Sequence, residues 1–597
     1  MRTRVIVLCH VCIAASIVWA EKRYIDSVNG NDDFNGASET QAWKSITKAN
    51  QTLVAGDTVF IKTGTYTTYI APKNSGTPLQ PIVYTNFDTG TVTIRDAVFG
   101  INLDGKSYIV VRGIAFRNLD RFLYVRNRSC HNTFAYCTFD SARMTDGKTA
   151  TWAGSVVSGN SQHNWIHHCR FSNYGYFTDD DVSCIIDIGS EEGKTDSTCC
   201  NLIENSTFFH AGHHVMGVYG KYNVIRNNYF HNEPWSMGTA ASDRGVVLYG
   251  DRNLSFSGYS ENGGRTLFEG NRVGYSADPS DNNGASGMAM NSSDNIVRFN
   301  CYFHNISAGL SMSLTASYLQ DILRNKVYNN SFFDNGHNPY DSMDHMSSGI
   351  GFGIYSGTLV IKDNELKNNI LYRHKLTFGE YNINTANRKG IIDLQVFANN
   401  WDGDSRGDPL FVNATAGPGD PMNTALPDLH LKPGSPCIDS GTYLTAIISP
   451  GGTGNSFRVK DAGYFMDGWG IKGVDGDEIR LWGTGQRARI TTVNYTTNIL
   501  TLDKNVTWTE NQGICLRYDG TAPDIGAFEY GAASTMHVLH SFIKRSRLYG
   551  VYDLQGRKIV DVKIGEINTD RHLRPSIYLI TAGQGSQRMV KRIAVMK

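Results

Sequence analysis

The stretch His210-Ala-Gly-His-His-Val-Met-Gly-Val-Tyr-Gly-Lys221 gathers three imidazoles, a phenol and an ammonium. Such groups take up and release protons, and imidazole does so near neutrality. Arg244 and Tyr249 follow, flanked by Asp243 and Asp251, while Asp179-Asp180-Asp181, Asp187, Glu191 and Glu192 precede them. The set suits abstraction of a proton beside a carboxylate. That reaction needs a base, an acid at the leaving oxygen and a cation against the developing anion. His213 or Lys221 would be the base, Tyr219 or Tyr249 the acid, and Arg244 the cation. Asp181, Asp187 and Glu191 are candidate ligands for Ca²⁺, which prefers carboxylate oxygens.

Residues so far apart meet only if the chain returns repeatedly to one place. Between about 107 and 373 one pattern recurs: Asn132-Thr-Phe-Ala-Tyr-Cys-Thr-Phe139, Asn164-Trp-Ile-His-His-Cys-Arg-Phe171, Asn201-Leu-Ile-Glu-Asn-Ser-Thr-Phe208 and Asn223-Val-Ile-Arg-Asn-Asn-Tyr-Phe230. It returns in Asn295-Ile-Val-Arg-Phe-Asn-Cys-Tyr-Phe303 and near Asn330-Ser-Phe-Phe333. A short motif at unequal spacing marks stacked coils joined by loops of free length. The closing aromatics should stack inside a cylinder. Two residues earlier, Cys137, Cys169, Ser206, Asn228, Cys301 and Ser331 should form an internal ladder. A propeller or sandwich would need hairpins at regular short spacing, which the chain lacks.

Strand side chains alternate between faces. Counting from Ile225 as inward, Met216, Val218, Val246, Leu248, Met288 and Met290 point in. Asp187, His213, Tyr219, Tyr249 and Asn291 then share an exposed outer ridge, with Lys221 and Arg244 at its margins. Such a ridge suits an extended sugar chain. His214 and Asn291 would contact it, and Trp235, in the loop at about 233–245, would stack on a ring.

The mature start, Tyr24-Ile-Asp-Ser-Val-Asn-Gly-Asn-Asp-Asp-Phe-Asn-Gly36 followed by Trp43-Lys-Ser-Ile-Thr-Lys-Ala49 and Gly56-Asp-Thr-Val-Phe-Ile61, resembles the N-terminal cap and first coil of the pectate-lyase-like right-handed parallel β-helix superfamily. The resemblance covers about 24–400 and implies parallel β-helix repeats, a capping helix at about 42–53, and action on an extracellular polysaccharide. Chondroitinase-B/alginate-lyase-type members carry a Glu-x-Glu metal pair, a catalytic Lys and an Arg on the next coil. Here His213 and His214 stand near the carboxylate places, and Tyr219 and Tyr249 near those of the Lys and Arg. Asp408-Pro-Leu-Phe-Val412, Leu429-His-Leu-Lys-Pro-Gly-Ser-Pro-Cys-Ile-Asp-Ser-Gly441 and Pro523-Asp-Ile-Gly-Ala-Phe-Glu-Tyr530 resemble the closing segment of secreted β-helix proteins (401–530), interrupted by a small β-domain at about 446–518. Val551-Tyr-Asp-Leu-Gln-Gly-Arg557, Ile577-Tyr-Leu-Ile580 and Lys591-Arg-Ile-Ala-Val595 resemble a type IX secretion sorting domain (540–597), expected as a β-sandwich.

The expected fold is therefore all-β: a right-handed parallel β-helix over 21–400, its closing segment, and the sorting domain. Residues 1–20, with Arg2 and Arg4 before a short apolar run, read as a secretory leader. Its apolar run is too short to span a bilayer comfortably, and no later stretch is apolar enough, so the product should be secreted or held at the outer-membrane surface. Fifty-six Lys+Arg balance 56 Asp+Glu, which removes any general electrostatic case for nucleic acid. Eleven Cys, less Cys9 and Cys12 in the leader, leave an odd number, so at least one thiol stays free, and Cys199-Cys200 could pair. Three activities fit the ridge. They are β-elimination on a uronic-acid polymer, glycoside hydrolysis by paired carboxylates, and glycan binding without cleavage. Asp179–Asp181 followed by Gly212-His213 is similar to elements of polygalacturonase-type hydrolases, but the downstream Arg-x-Lys element is missing.

Overall fold

The computed structural model describes residues 20–87, 90–145, 148–149, 151–174, 184–189, 196–212, 214–232, 244–249, 264–276, 286–314, 321–337, 343–414 and 426–531, with strands at 549–552, 558–562, 576–582 and 589–595. For 144–145, 148, 244–249 and the strands beyond 531 only the backbone is described. The chain divides after Tyr530 into two compact units.

The first unit is a right-handed parallel β-helix of three long sheets. Sheet I has 13 strands, from Lys22–Ile25 to Val396–Ala398. Sheet II has 12, from Gly64–Tyr66 to Trp401–Asp402. Sheet III has 10, from Phe99–Asp104 to Leu376–Asn382. From Ile82 to Asn382 each coil visits sheets I, II and III in turn. Inside, Phe116, Phe139, Phe171, Phe208 and Phe230 stack face to face at centroid distances of 4.8, 4.5, 5.0 and 5.2 Å.

The corners explain the asparagines. Asn227, Asn329, Asn368 and Asn399 take left-handed backbone (φ 56°, 51°, 52° and 54°), which Asn tolerates well. The next residue in each case turns its amide into the cylinder. From Asn228 through Asn271, Asn300, Asn330 and Asn369 to Asn400, each passes an Nδ2–H to the next Oδ1, at 3.2, 3.1, 3.0, 3.0 and 2.9 Å. A second ladder joins Asn132, Asn164, Asn201 and Asn223 at 3.0, 3.1 and 3.2 Å. It resumes through Asn295, Asn325, Asn364 and Gln395 at 2.9 Å each.

Two expected ladder members are corrected. Cys301 and Ser331 stand outside, and Asn300 and Asn330 take their places. Correspondingly Tyr302 and Phe332 stack in the core at 4.5 Å, while Phe303 and Phe333 face outward. Two adjacent aromatics end each of these motifs, and a slip of one residue exchanges the faces. Cys137 and Cys169 are buried in the ladder, as expected. All nine cysteines after residue 20 are free thiols; Cys199 and Cys200 hold their Sγ atoms 2.9 Å apart without a bridge.

The capping helix is Ile46–Thr52, shorter than expected, because Trp43 bridges to Ile25 and Ser45 caps the helix by accepting from Lys48 N–H. The chain after 400 covers two sheets. Phe411, Leu429, Leu431, Cys437 and Ile525 pack on the outside of sheet II against Phe303 and Phe333. A six-stranded antiparallel sheet, from Thr445–Ala446 to Gly513–Leu516, packs on the outside of sheet I against Leu202, Val224, Leu267, Ile296 and Tyr328. There Arg298, 3% exposed, donates to both oxygens of Asp477 (2.7 and 2.9 Å) and to Glu269 (2.6 Å). These carboxylates hold its guanidinium charged despite burial.

Among the described residues the second unit has one four-stranded antiparallel sheet, Tyr549–Tyr552, Lys558–Val562, Ser576–Ala582 and Met589–Val595, where a sandwich of two sheets was expected. No helix among the described residues is long and apolar enough to cross a membrane.

The ladders make a testable demand. Asn300 donates to the Phe268 carbonyl (2.9 Å) and accepts from Asn271 N–H (2.8 Å). Asn300→Leu keeps the volume but strands both groups, at about 1–3 kcal/mol each. A lowered urea midpoint by circular dichroism is the expected result; an unchanged midpoint would count against the ladder as a source of stability.

Candidate functional site

With the middle coils of sheet I and the later coils of sheet II covered, the outer face of sheet III beside them is where distant coils can present polar groups. Asp187 pairs with Gly217, Gly217 with Val247, and Val247 with Ala289, one outer row across four coils. Tyr249 pairs with Asn291 in the next outer row.

Strict alternation fails where these strands begin. Ile185 and Ile186 both enter the core, as do Val215 and Met216, and Phe122 and Leu123. The residues just before each break therefore change face. Cys184 and His214, which alternation would send inward, reach the side of Asp187 instead: His214 Nε2 lies 3.4 Å from Asp187 Oδ1.

Gly217 makes this convergence possible. A Cβ there would stand 2.4 Å from Asp187 Oδ1, 2.8 Å from the Tyr219 ring and 3.0 Å from His214 Nε2. Tyr219 thus folds back over the glycine and packs against Ala289. The expectation of an exposed ridge is corrected at these positions. Asp187, His214, Tyr219 and Asn291 are 6, 1, 4 and 2% exposed. Part of the reason is the Tyr219 ring itself, which fills the face that the glycine leaves open. Asn291 donates through Nδ2 to the Ser313 carbonyl and to Ser313 Oγ (3.3 Å). Its buried Oδ1 has no partner among the described residues.

The other candidates divide plainly. His213, Trp235, Asp181 and Glu191 lie outside the described residues, as do Asp179, Asp180, Glu192, Asp243 and Asp251. Arg244 and Tyr249 are described by backbone alone: Arg244 pairs with His214, Tyr249 with Asn291. Lys221 sits half-buried in the turn from sheet III to sheet I, bridged to Cys199 and Gly264. His210 belongs to another corner, in left-handed backbone (φ 59°) with Nδ1 2.8 Å from Asn173 Oδ1. Cys184 and Gly217 were missed from the sequence, because one needs the break in alternation and the other acts by lacking a side chain.

Cys184, Asp187 and His214 each offer one ligand atom within 4.8 Å of the others. A thiol, a carboxylate and an imidazole suit a borderline ion such as Zn²⁺. They do not make the oxygen cage that Ca²⁺ takes. Of the expected calcium ligands, only Asp187 is described.

The outer face of sheet III closes at its last coils. His345 lies over the strand Ser348–Ile354, where a Cβ on Gly351 would stand 1.8 Å from the His345 carbonyl oxygen. Its Nε2 is 2.6 Å from Tyr355 Oη, and burial pushes its pKa down to about 4.

Residues 40–303 match the family model described as chondroitinase B. No curated protein matches the chain. Solved structures similar to it include pectate lyase Pel9A, at 16% identity over 85% of this chain and 97% of that one, with a TM-score of 0.43. A rhamnogalacturonan lyase is 14% identical over 69% and 96%, with a TM-score of 0.40. XylC, solved with xylose, is 9% identical over 83% and 100%, with a TM-score of 0.42.

Two outcomes follow from this geometry. Gly217→Ala should fold with unchanged circular dichroism, while its crystal structure shows Asp187 and Tyr219 displaced; an undisturbed cluster would contradict the close approach. His345 binds fewer protons in the folded than in the unfolded chain between pH about 6.5 and about 4. Its depressed pKa therefore costs nothing above that window and destabilises the fold as pH falls through it. Thermal melts of His345→Gln should lose less stability across the window than wild type.

Proposed function

We propose that the protein cleaves an acidic polysaccharide by β-elimination at the outer face of sheet III. The observation that carries this reading is the convergence of Asp187, His214 and Tyr219 about Gly217. A buried imidazole, carboxylate and phenol are costly to assemble for stability alone, and such clusters concentrate where protons are moved. The match of residues 40–303 to the chondroitinase B model supports the same class of chemistry.

In this reading Asp187 accepts the Nε2–H of His214 and orients the ring, which leaves the lone pair on Nδ1. The imidazole takes the C5 proton of a uronate. The C5–H electrons form the C4=C5 double bond, the C4–O4 bond breaks, and the departing oxygen receives the Tyr219 phenolic proton. Arg244, in backbone register beside His214, is the cation this reading assigns to the substrate carboxylate, and Asn291 Oδ1, without a partner among the described residues, accepts from a sugar hydroxyl. His213, Lys221 and Tyr249 remain candidates for the same proton transfers. A hydrolase would need a second carboxylate facing Asp187; Asp187 is the one carboxylate in the described cluster. Residues 1–20 and 540–597 act as export signals in this reading, so deleting 540–597 should strand the protein inside the cell envelope.

Pectate, alginate and glycosaminoglycans should be tested as substrates, with the ultraviolet absorbance of an unsaturated uronate as readout. His214→Ala and Tyr219→Phe should each lower kcat by about 10²–10⁴-fold while the fold is retained. New reducing ends without that absorbance would favour hydrolysis, and binding without either product would favour a glycan-binding protein. Full activity in both variants would remove the site.

A further inference from the structure

A cavity of about 280 Å³ opens where the six-stranded domain meets the turns between sheets III and I. Four cations line it: Arg265, Arg324 and Lys326 from the β-helix and Lys460 from the inserted domain. Two carboxylates face them, Asp294 and Asp461. The pairing is uneven. Arg324 holds Asp294 through two bonds of 2.9 and 3.0 Å, and Arg265 shares the same carboxylate at 3.6 Å. Lys326 is committed to Asp461 and to Glu365, each at 2.6 Å. Exposed Lys460 makes no ion pair among the described residues. The Arg265 guanidinium carbon lies over the Tyr495 ring, 4.1 Å from its centroid. That leaves a walled recess with surplus positive charge and planar groups in its lining.

We propose that this recess binds an anionic sugar unit, a pyranose bearing a carboxylate or sulfate, outside the place of cleavage. Its place in the fold supports that ligand. Asp294 follows Asn291 by three residues, so their Cα atoms lie within about 11 Å by chain reach. A single oligosaccharide crossing sheet III can therefore turn the corner into the recess. The inserted domain supplies Lys460 and Tyr495, so the recess exists only because that domain docks on sheet I. Cations placed beyond the reacting unit would hold the polymer and set its register, which lowers KM and leaves the chemical step alone. The proposal rests on the preceding functional reading only for the polymer's identity.

Isothermal titration of the full chain with oligogalacturonate and with a sulfated chondroitin oligosaccharide tests it, using the His214→Ala background so that no turnover intervenes. Binding of either probe is expected, weakened by about tenfold or more in Lys460→Glu and restored in Lys460→Arg; the tighter probe names the anion. In otherwise wild-type protein, Lys460→Glu should raise KM with kcat unchanged. Wild-type affinity in Lys460→Glu, or inorganic sulfate binding as tightly as both oligosaccharides, overturns the proposal. Should elimination never be detected while Lys460-dependent binding persists, the recess stands and the catalytic reading falls.

Discussion

Every corner of the cylinder turns peptide groups toward a dry interior, and those groups must be paired without water. Stacked amides meet that demand. In the run from Asn228 to Asn400, each Oδ1 accepts from the coil before it, and most Nδ2 groups also donate to a carbonyl one coil back. One side chain thus serves two peptides, and the residue before it absorbs the left-handed turn. The loops between corners bear none of this burden, so their lengths vary freely. The faces of the three sheets are fixed by the corners, and with them the place where functional groups can gather.

That frame also decides which face is available. Later chain covers the middle coils of sheet I and the later coils of sheet II, and His345 closes the last coils of sheet III. Between these covered parts lies the stretch of sheet III around Gly217. There, breaks in alternation bring His214 beside Asp187, and the absence of a Cβ lets Tyr219 lie across both. The arrangement buries polar groups, and Asn291 Oδ1 among them has no partner among the described residues. Folds tolerate such costs where chemistry requires them.

Much of this was legible in the sequence. The Asn-to-aromatic motif locates the coils, and inward counting from Ile225 places Met216, Val218, Met288 and Met290 in the core, where they lie. Asp187 and Tyr219 meet as that counting implied. The failures share one cause: period-two reasoning carries no information about where the period breaks. It placed Cys301 and Ser331 one residue out of register, because adjacent aromatics give equal support to either face. Strict alternation by itself would turn His214 inward, and nothing in Val215-Met216 shows that both of those turn inward instead. The docking of the inserted domain was hidden for a different reason. Arg298 looks like an ordinary strand cation until Asp477 is set against it.

That pairing spans 179 positions in the chain. As synthesis or export proceeds from the N-terminus, the coil carrying Arg298 is complete long before its partner emerges. Until then the guanidinium has Glu269 and the Tyr328 hydroxyl, and keeps its water. The middle of the cylinder can therefore form early, but its flank stays hydrated until the late domain arrives and expels solvent. Contacts so distant in sequence form slowly, so maturation ends with a latch closing on a scaffold already built.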